Sequence, residues 1–131
     1  MLRYEYMPSD FHPLFLFLGE AADLAALAQL LRRFADNPVP TAVAERIPGA
    51  ASRDPLMLAP ADDAFGMRDL GGRFAWQLTP WQAERIAERI EILSERDVKS
   101  GSEILELGSE GEIPVKVSRG EFTDDFLVTR R

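Results

Sequence analysis

The feature that most constrains the fold is the run of residues 13–36, PLFLFLGEAADLAALAQLLRRFAD, in which the spacing of apolar residues changes at Gly19. Residues 14–18 are five consecutive large apolar residues, which is typical of a strand buried on both faces, or on one face with a partner on the other. After the glycine, apolar residues recur at the spacing of one helix face, at Leu24, Leu27, Ala28, Leu31 and Phe34. The run therefore predicts a strand that leads into a helix folded back over a sheet.

Composition fits one ordinary globular domain and narrows the classes of partner. The chain has 131 residues, of which 46% are hydrophobic and 28% charged, near the commonest domain size and composition. Its net charge of −7 disfavours nucleic acid and anionic membrane surfaces as partners. It has no cysteine, which excludes disulfides and fits a reducing compartment. Arginine outnumbers lysine 13 to 2, a bias typical of GC-rich bacterial coding.

No targeting or membrane segment is predicted. The first residues lack the basic and apolar regions of a signal peptide, and no apolar run approaches the length of a membrane span. The sequence therefore predicts a cytoplasmic location.

Local signals predict two helices, each after a strand. Residues 2–7 alternate between apolar and polar, as in a half-buried strand, and are expected to pair with residues 14–18 as a hairpin. The first helix is expected to begin with Gly19 as its N-cap and Glu20 in its first turn. It is expected to end before Pro38, because the residue before proline disfavours helical geometry.

The second helix has the clearest start signal in the chain. Thr79-Pro80-Trp81-Gln82 has threonine at the N-cap, proline at the first helical position and glutamine two positions later, which is a capping box. The helix follows a predicted strand at residues 73–78, and its buried face is predicted to hold Ala83, Ile86, Ala87, Ile90 and Leu93.

The other segments have weaker signals. An irregular linker is predicted at about 38–54, in which 41–47 is either a short strand or a helical turn, and it is followed by a strand at 56–59 and a loop at 62–72. A last hairpin is predicted at 102–118, in which Pro114 indicates an edge strand. The chain then has an element of uncertain type at 122–128 and a frayed tail at 129–131.

The order strand, loop, strand, helix occurs twice, in residues 2–34 and 56–93. The five apolar positions of the first helix align with the five of the second, either because the chain contains an internal repeat or because any two amphipathic helices after strands match in this way. In both cases we expect an α+β single domain over residues 1–131, with a mainly antiparallel sheet and two amphipathic helices packed on one face. The expected order is β-β-α-(β)-β-β-α-β-β.

Few residues suit catalysis. His12 is the sole histidine and lies beside Asp10 in a turn, so an enzyme of the hydrolase or isomerase type would use His12 with a carboxylate. Neighbours in one turn rarely converge as a triad, and one histidine cannot form a two-histidine metal site. The acidic pair Asp62-Asp63 lacks the alternation of a calcium loop, and no glycine motif for nucleotides occurs. We therefore predict no metal and no cofactor, and keep the enzyme as the alternative hypothesis.

Two apolar features indicate binding instead. Trp81 and Ile92 lie on the face of the second helix that is opposite its buried stripe, although Trp81 could instead fold over the preceding strand. Phe15 and Phe17 need cover on one face of their strand, either from a partner or from the linker at 38–54. The predicted function is therefore a non-catalytic acidic domain that acts through protein–protein contacts. The partner is a second copy, which we favour, or another protein of basic charge that it antagonises.

Overall fold

The computed structural model describes residues 1–8, 13–47, 55–95 and 101–120, and it confirms the α+β class. Within these residues it has eight strands and three helices. In chain order they are β1 (Arg3–Met7), β2 (Leu14–Gly19), α1 (Ala21–Asp36), β3 (Thr41–Ala42), α2 (Val43–Arg46), β4 (Leu56–Pro60), β5 (Gly66–Asp69), β6 (Phe74–Leu78), α3 (Pro80–Leu93), β7 (Gly101–Leu105) and β8 (Val115–Arg119).

The strands form two four-stranded sheets, whereas the sequence predicted one. Sheet A has the order β1-β2-β8-β7, and sheet B has the order β3-β4-β6-β5. In each sheet the two central strands are parallel and each outer strand is antiparallel to its neighbour. The chain changes sheets at each long helix, because α1 leads from β2 to β3 and α3 leads from β6 to β7. Apolar spacing predicts which residues are buried, but it does not predict which sheet a strand joins.

The two sheets have equivalent plans in which two halves of the chain exchange their last strands. Phe15 of β2 pairs with Val115 of β8, and Phe74 of β6 pairs with Leu56 of β4. The N–H of each phenylalanine donates to the proline carbonyl just before the partner strand, at 2.9 and 2.8 Å. Phe74 follows Phe15, and Val115 follows Leu56, by the same 59 residues. This shift also places the start of α1 on the start of α3, so each position in one half has a counterpart in the other.

The halves differ in their boundaries from the sequence-based repeat. Leu56–Pro60 corresponds to β8 and thus closes the first half, so the second half begins at β5. The sequence predicts a loop at residues 62–72, yet Gly66–Asp69 forms β5, antiparallel to β6. Met67 is its only large buried side chain, and a single apolar residue gives no alternation that a sequence pattern could reveal.

The helix starts correct one expectation and confirm another. The N-cap of α1 is Glu20 rather than Gly19, and the N–H of Glu20 donates to Asp23 Oδ2 at 2.9 Å. The capping box of α3 forms as predicted: the N–H of Gln82 donates to Thr79 Oγ1 at 3.1 Å, and the N–H of Thr79 donates to Gln82 Oε1 at 2.9 Å.

The weaker segments resolve into short elements. The first helix ends at Asp36, before Pro38, as predicted, and residues 41–47 contain both β3 and α2. The hairpin of β7 and β8 also forms. Pro114 does not mark an edge strand, because β8 lies between β2 and β7. The proline sits one residue before β8, where its missing N–H removes no bond of the strand.

An aromatic interior joins the two sheets. Phe15 lies 5.2 Å from Phe74 and Phe17 lies 5.4 Å from Trp76, measured between ring centroids, and Tyr4 stacks on Phe15 at 6.2 Å. Phe15 and Phe17 are both 0% exposed. Their cover is the second sheet of the same chain. They offer no surface to a partner in this arrangement, so the prediction that they form an interface is withdrawn.

The two long helices complete this core. α1 and α3 pack against each other, and their apolar faces belong to the same buried cluster as the inner faces of the sheets. The apolar positions predicted from spacing are all buried on both helices. The opposite face of α3 is thereby left on the surface.

Candidate interaction surface on α3

Four side chains form an exposed line along α3, which we call the α3 stripe: Trp81, Arg85, Glu88 and Ile92. Trp81 is 71% exposed and Ile92 is 55% exposed. The two are eleven residues apart, which is three helical turns or about 16 Å. The guanidinium of Arg85 lies 5.6 Å from the centre of the Trp81 ring, and Arg85 also pairs with Glu88 at 3.5 Å. The tryptophan therefore stands on the surface beside a cation and does not fold over the preceding strand.

Ion pairs hold α3 on both sides of the stripe. Arg32 of α1 donates from Nε and Nη2 to the two carboxylate oxygens of Glu91, at 2.8 and 2.7 Å. The hydrogen bond from Arg32 lowers the pKa of Glu91 below its usual value. On the other side, Arg89 binds the carboxylate of Glu103 on β7. The stripe is thus presented by a helix that is fixed in rotation.

The first half of the chain provides an internal comparison for the stripe. The shift of 59 residues places Ala22, Ala26, Gln29 and Arg33 of α1 at the positions of Trp81, Arg85, Glu88 and Ile92. Alanine therefore occupies the counterpart of Trp81, and arginine occupies the counterpart of Ile92. The fold forms α1 with small or polar residues at these positions, so packing within the chain does not require the two large apolar side chains on α3.

The stripe is complementary to itself in an antiparallel arrangement. Its order is apolar, basic, acidic, apolar, and it is symmetric about the midpoint between Arg85 and Glu88. If two copies of α3 pack antiparallel about a two-fold axis at that point, Trp81 lies level with Ile92 of the other copy. Arg85 then lies level with Glu88 of the other copy. A two-fold interface requires this kind of self-complementary surface.

The other predicted site residues are not brought together in the described part of the chain. His12 and Asp10 lie outside the described residues, and the tail element at 122–128 lies outside them as well. Asp62 and Asp63 are exposed. Across residues 1–8, 13–47, 55–95 and 101–120, no three His, Cys, Asp or Glu side chains are grouped to hold a metal ion. In those ranges, too, no helix is both long and apolar enough to cross a membrane.

Sequence reasoning missed one concave feature of the surface. A groove of about 670 Å³ lies on sheet B, and Tyr4, Ala75 and Arg73 are among its lining residues. It depends on β3, β4 and β6 being neighbours in one sheet, and no local pattern predicts that pairing. No family model, curated protein or solved structure matches this chain.

Proposed function

We propose that this protein is a non-catalytic binding domain that acts through protein–protein contacts, and that a second copy of the chain binds its α3 stripe. The observation that carries the proposal is the exposure of Trp81 and Ile92 on a helix whose counterpart has no large apolar residue at the equivalent positions. Exposed tryptophan with a neighbouring arginine is the residue type that dominates binding energy in interfaces.

Charge along the stripe supports a second copy as the occupant. The net charge of −7 makes two copies repel each other at long range. The stripe itself carries one positive and one negative side chain, Arg85 and Glu88, in an order that pairs opposite charges across an antiparallel dimer. A helix of 14 residues is about 21 Å long, so the contact falls at the small end of specific interfaces. We therefore expect dissociation in the micromolar range.

The decisive experiment exchanges the charges of the stripe. Arg85→Glu alone sets like charges against each other across the dimer, and Glu88→Arg alone does the same, so each is expected to weaken association in sedimentation equilibrium. The double variant restores opposite charges and is expected to recover most of the affinity. Trp81→Ala is expected to weaken association about 30-fold.

The matched control uses an exposed apolar residue on another part of the chain. Leu70, between β5 and β6, is 49% exposed, and Leu70→Ala is expected to leave the dissociation constant unchanged. If the double charge variant is no tighter than either single variant, the antiparallel contact is wrong. If Trp81→Ala associates as tightly as the unmodified protein, the stripe is not the interface.

The enzyme hypothesis has a separate test. It depends on His12 acting with a carboxylate such as Asp10. Titration of His12 by NMR distinguishes the two hypotheses, because a solvent-exposed turn residue titrates near the ordinary histidine value and a catalytic one is shifted by its neighbours.

A further inference from the structure

The groove on sheet B has an apolar floor made of small side chains. Ala42, Ala59 and Ala75 line it from three adjacent strands, and Met57 and Leu70 stand beside them as exposed apolar residues. Its volume of about 670 Å³ lies within the range of pockets that bind small molecules.

The first half of the chain shows how this space arises. The counterparts of Ala75 and Ala59 on sheet A are Leu16 and Ser118. Leu16 and Ser118 are both buried. At two equivalent places, then, sheet B carries a smaller side chain than sheet A. The groove is a departure from the common plan of the two halves, and the plan itself does not require it.

Two side chains that line the groove, Tyr4 and Arg73, have no hydrogen-bond or ion-pair partner among the described residues. Tyr4 is only 4% exposed, yet its hydroxyl forms no hydrogen bond with any residue that the structure describes. That hydroxyl is not among the side-chain atoms of the described residues that are both buried and unpartnered, so its oxygen remains accessible and a ligand in the groove can reach it. Burial raises the pKa of Tyr4, so the hydroxyl keeps its proton and remains a donor. Arg73 is an exposed lining residue of the groove, and its guanidinium likewise forms no ion pair within the described ranges.

We propose that this groove binds a small free carboxylic acid with an apolar body. The apolar part lies on the alanine floor, and the carboxylate accepts hydrogen bonds from the Arg73 guanidinium and the Tyr4 hydroxyl. Both groups are donors, and a carboxylate is an acceptor only, so the ligand supplies what both groups lack. A neutral amphiphile of the same length leaves the guanidinium without its counter-charge, and a cationic one is repelled by it.

The test compares three probes of equal length by calorimetry and by NMR shifts of the alanine methyl groups: decanoate, decanol and decylamine. Decanoate is expected to bind and to shift the methyl resonances of Ala59 and Ala75. Decanol is expected to bind at least about tenfold more weakly, and decylamine more weakly still. Equal binding of decanol and decanoate would overturn the assignment of the carboxylate site, and failure of decanoate to bind at millimolar concentration would overturn the proposal as a whole.

Three variants locate the contact. Arg73→Gln removes an exposed charge at a position just before β6, and it is expected to weaken decanoate binding about tenfold without affecting decanol binding. Tyr4→Phe is expected to weaken decanoate by less. Ala75→Leu places in sheet B the residue that sheet A already carries at Leu16, and it is expected to block both probes by filling the groove. Unchanged decanoate affinity in Arg73→Gln contradicts the proposal even if Ala75→Leu fails to fold.

Discussion

Phe17→Ala tests whether this aromatic residue belongs to the core or to an interface. Phe17 is 0% exposed and its ring lies 5.4 Å from Phe15, 5.7 Å from Tyr4 and 5.4 Å from Trp76. Removing a buried phenylalanine costs the burial of its ring and leaves a cavity between the two sheets. We expect a loss of about 3–5 kcal/mol in the free energy of unfolding.

The assay is urea unfolding at two protein concentrations about tenfold apart, and the quantity compared is the difference in unfolding free energy between Phe17→Ala and the unmodified protein. This difference is the same at both concentrations if Phe17 is buried within one chain, whereas the loss of an interface makes it depend on concentration. Phe17→Leu provides a milder variant if Phe17→Ala does not fold, with an expected loss of about 1–2 kcal/mol. Ile104→Ala, at an exposed strand position, is the control and is expected to change stability by less than about 0.5 kcal/mol. A loss of less than about 1 kcal/mol in Phe17→Ala, together with a lower molecular mass, would refute the placement of this ring in the core.

Three further predictions concern stability. Thr79→Ala removes the cap of α3 and is expected to cost about 1 kcal/mol, seen as a melting temperature lower by about 3–5 °C. Glu91→Gln removes the ion pair between α1 and α3. Because the pKa of Glu91 in the folded protein is lowered from 4.5, the ion pair stabilises the fold above that value, and this stabilisation is lost as the pH falls through the folded pKa. The stabilities of the variant and the unmodified protein are therefore expected to converge in acid denaturation. Gly66→Ala is expected to cost more than Gly71→Ala in urea unfolding: both glycines have positive φ, at 95° and 89°, but only at Gly66 does the new methyl group meet the Glu112 side chain.

The helices were predictable from sequence because their signals are local. The Thr79 capping box located the start of α3, apolar spacing located its buried face, and the proline at 38 located the end of α1. The predicted N-cap of α1 is wrong by one residue, because glycine and glutamate are adjacent there and a sequence pattern does not reveal the hydrogen bond that the Glu20 N–H donates to the Asp23 carboxylate.

The sheets were less predictable because their pairing is between distant residues. β8 joins β2 across about a hundred residues of chain, with Phe15 opposite Val115, and nothing near either strand specifies this partner. The same long-range pairing covers Phe15 and Phe17, so a strand that appeared to need an external partner finds its cover within the chain. β5 is too short, and holds too few apolar residues, to give a period of two.

The two candidate binding surfaces, the α3 stripe and the groove on sheet B, also differ in whether local sequence signals could predict them. The exposure of Trp81 and Ile92 could be predicted, because it follows from the helix face opposite a clear buried stripe, and their role in binding remains a prediction. The groove that Tyr4 and Arg73 line could not be predicted, because Tyr4 lies on β1 of sheet A and Arg73 directly precedes β6 of sheet B, and the two meet there only in the folded chain.

The measurement that tests the proposed function most directly is the molar mass by light scattering at tens of micromolar protein, in low and in high salt. We expect a mass near twice the 14.7 kDa of one chain in both conditions. The contact is centred on Trp81 and Ile92, and high salt screens the repulsion between two acidic copies without weakening apolar burial. A mass near 14.7 kDa in both conditions would contradict the self-association that we propose.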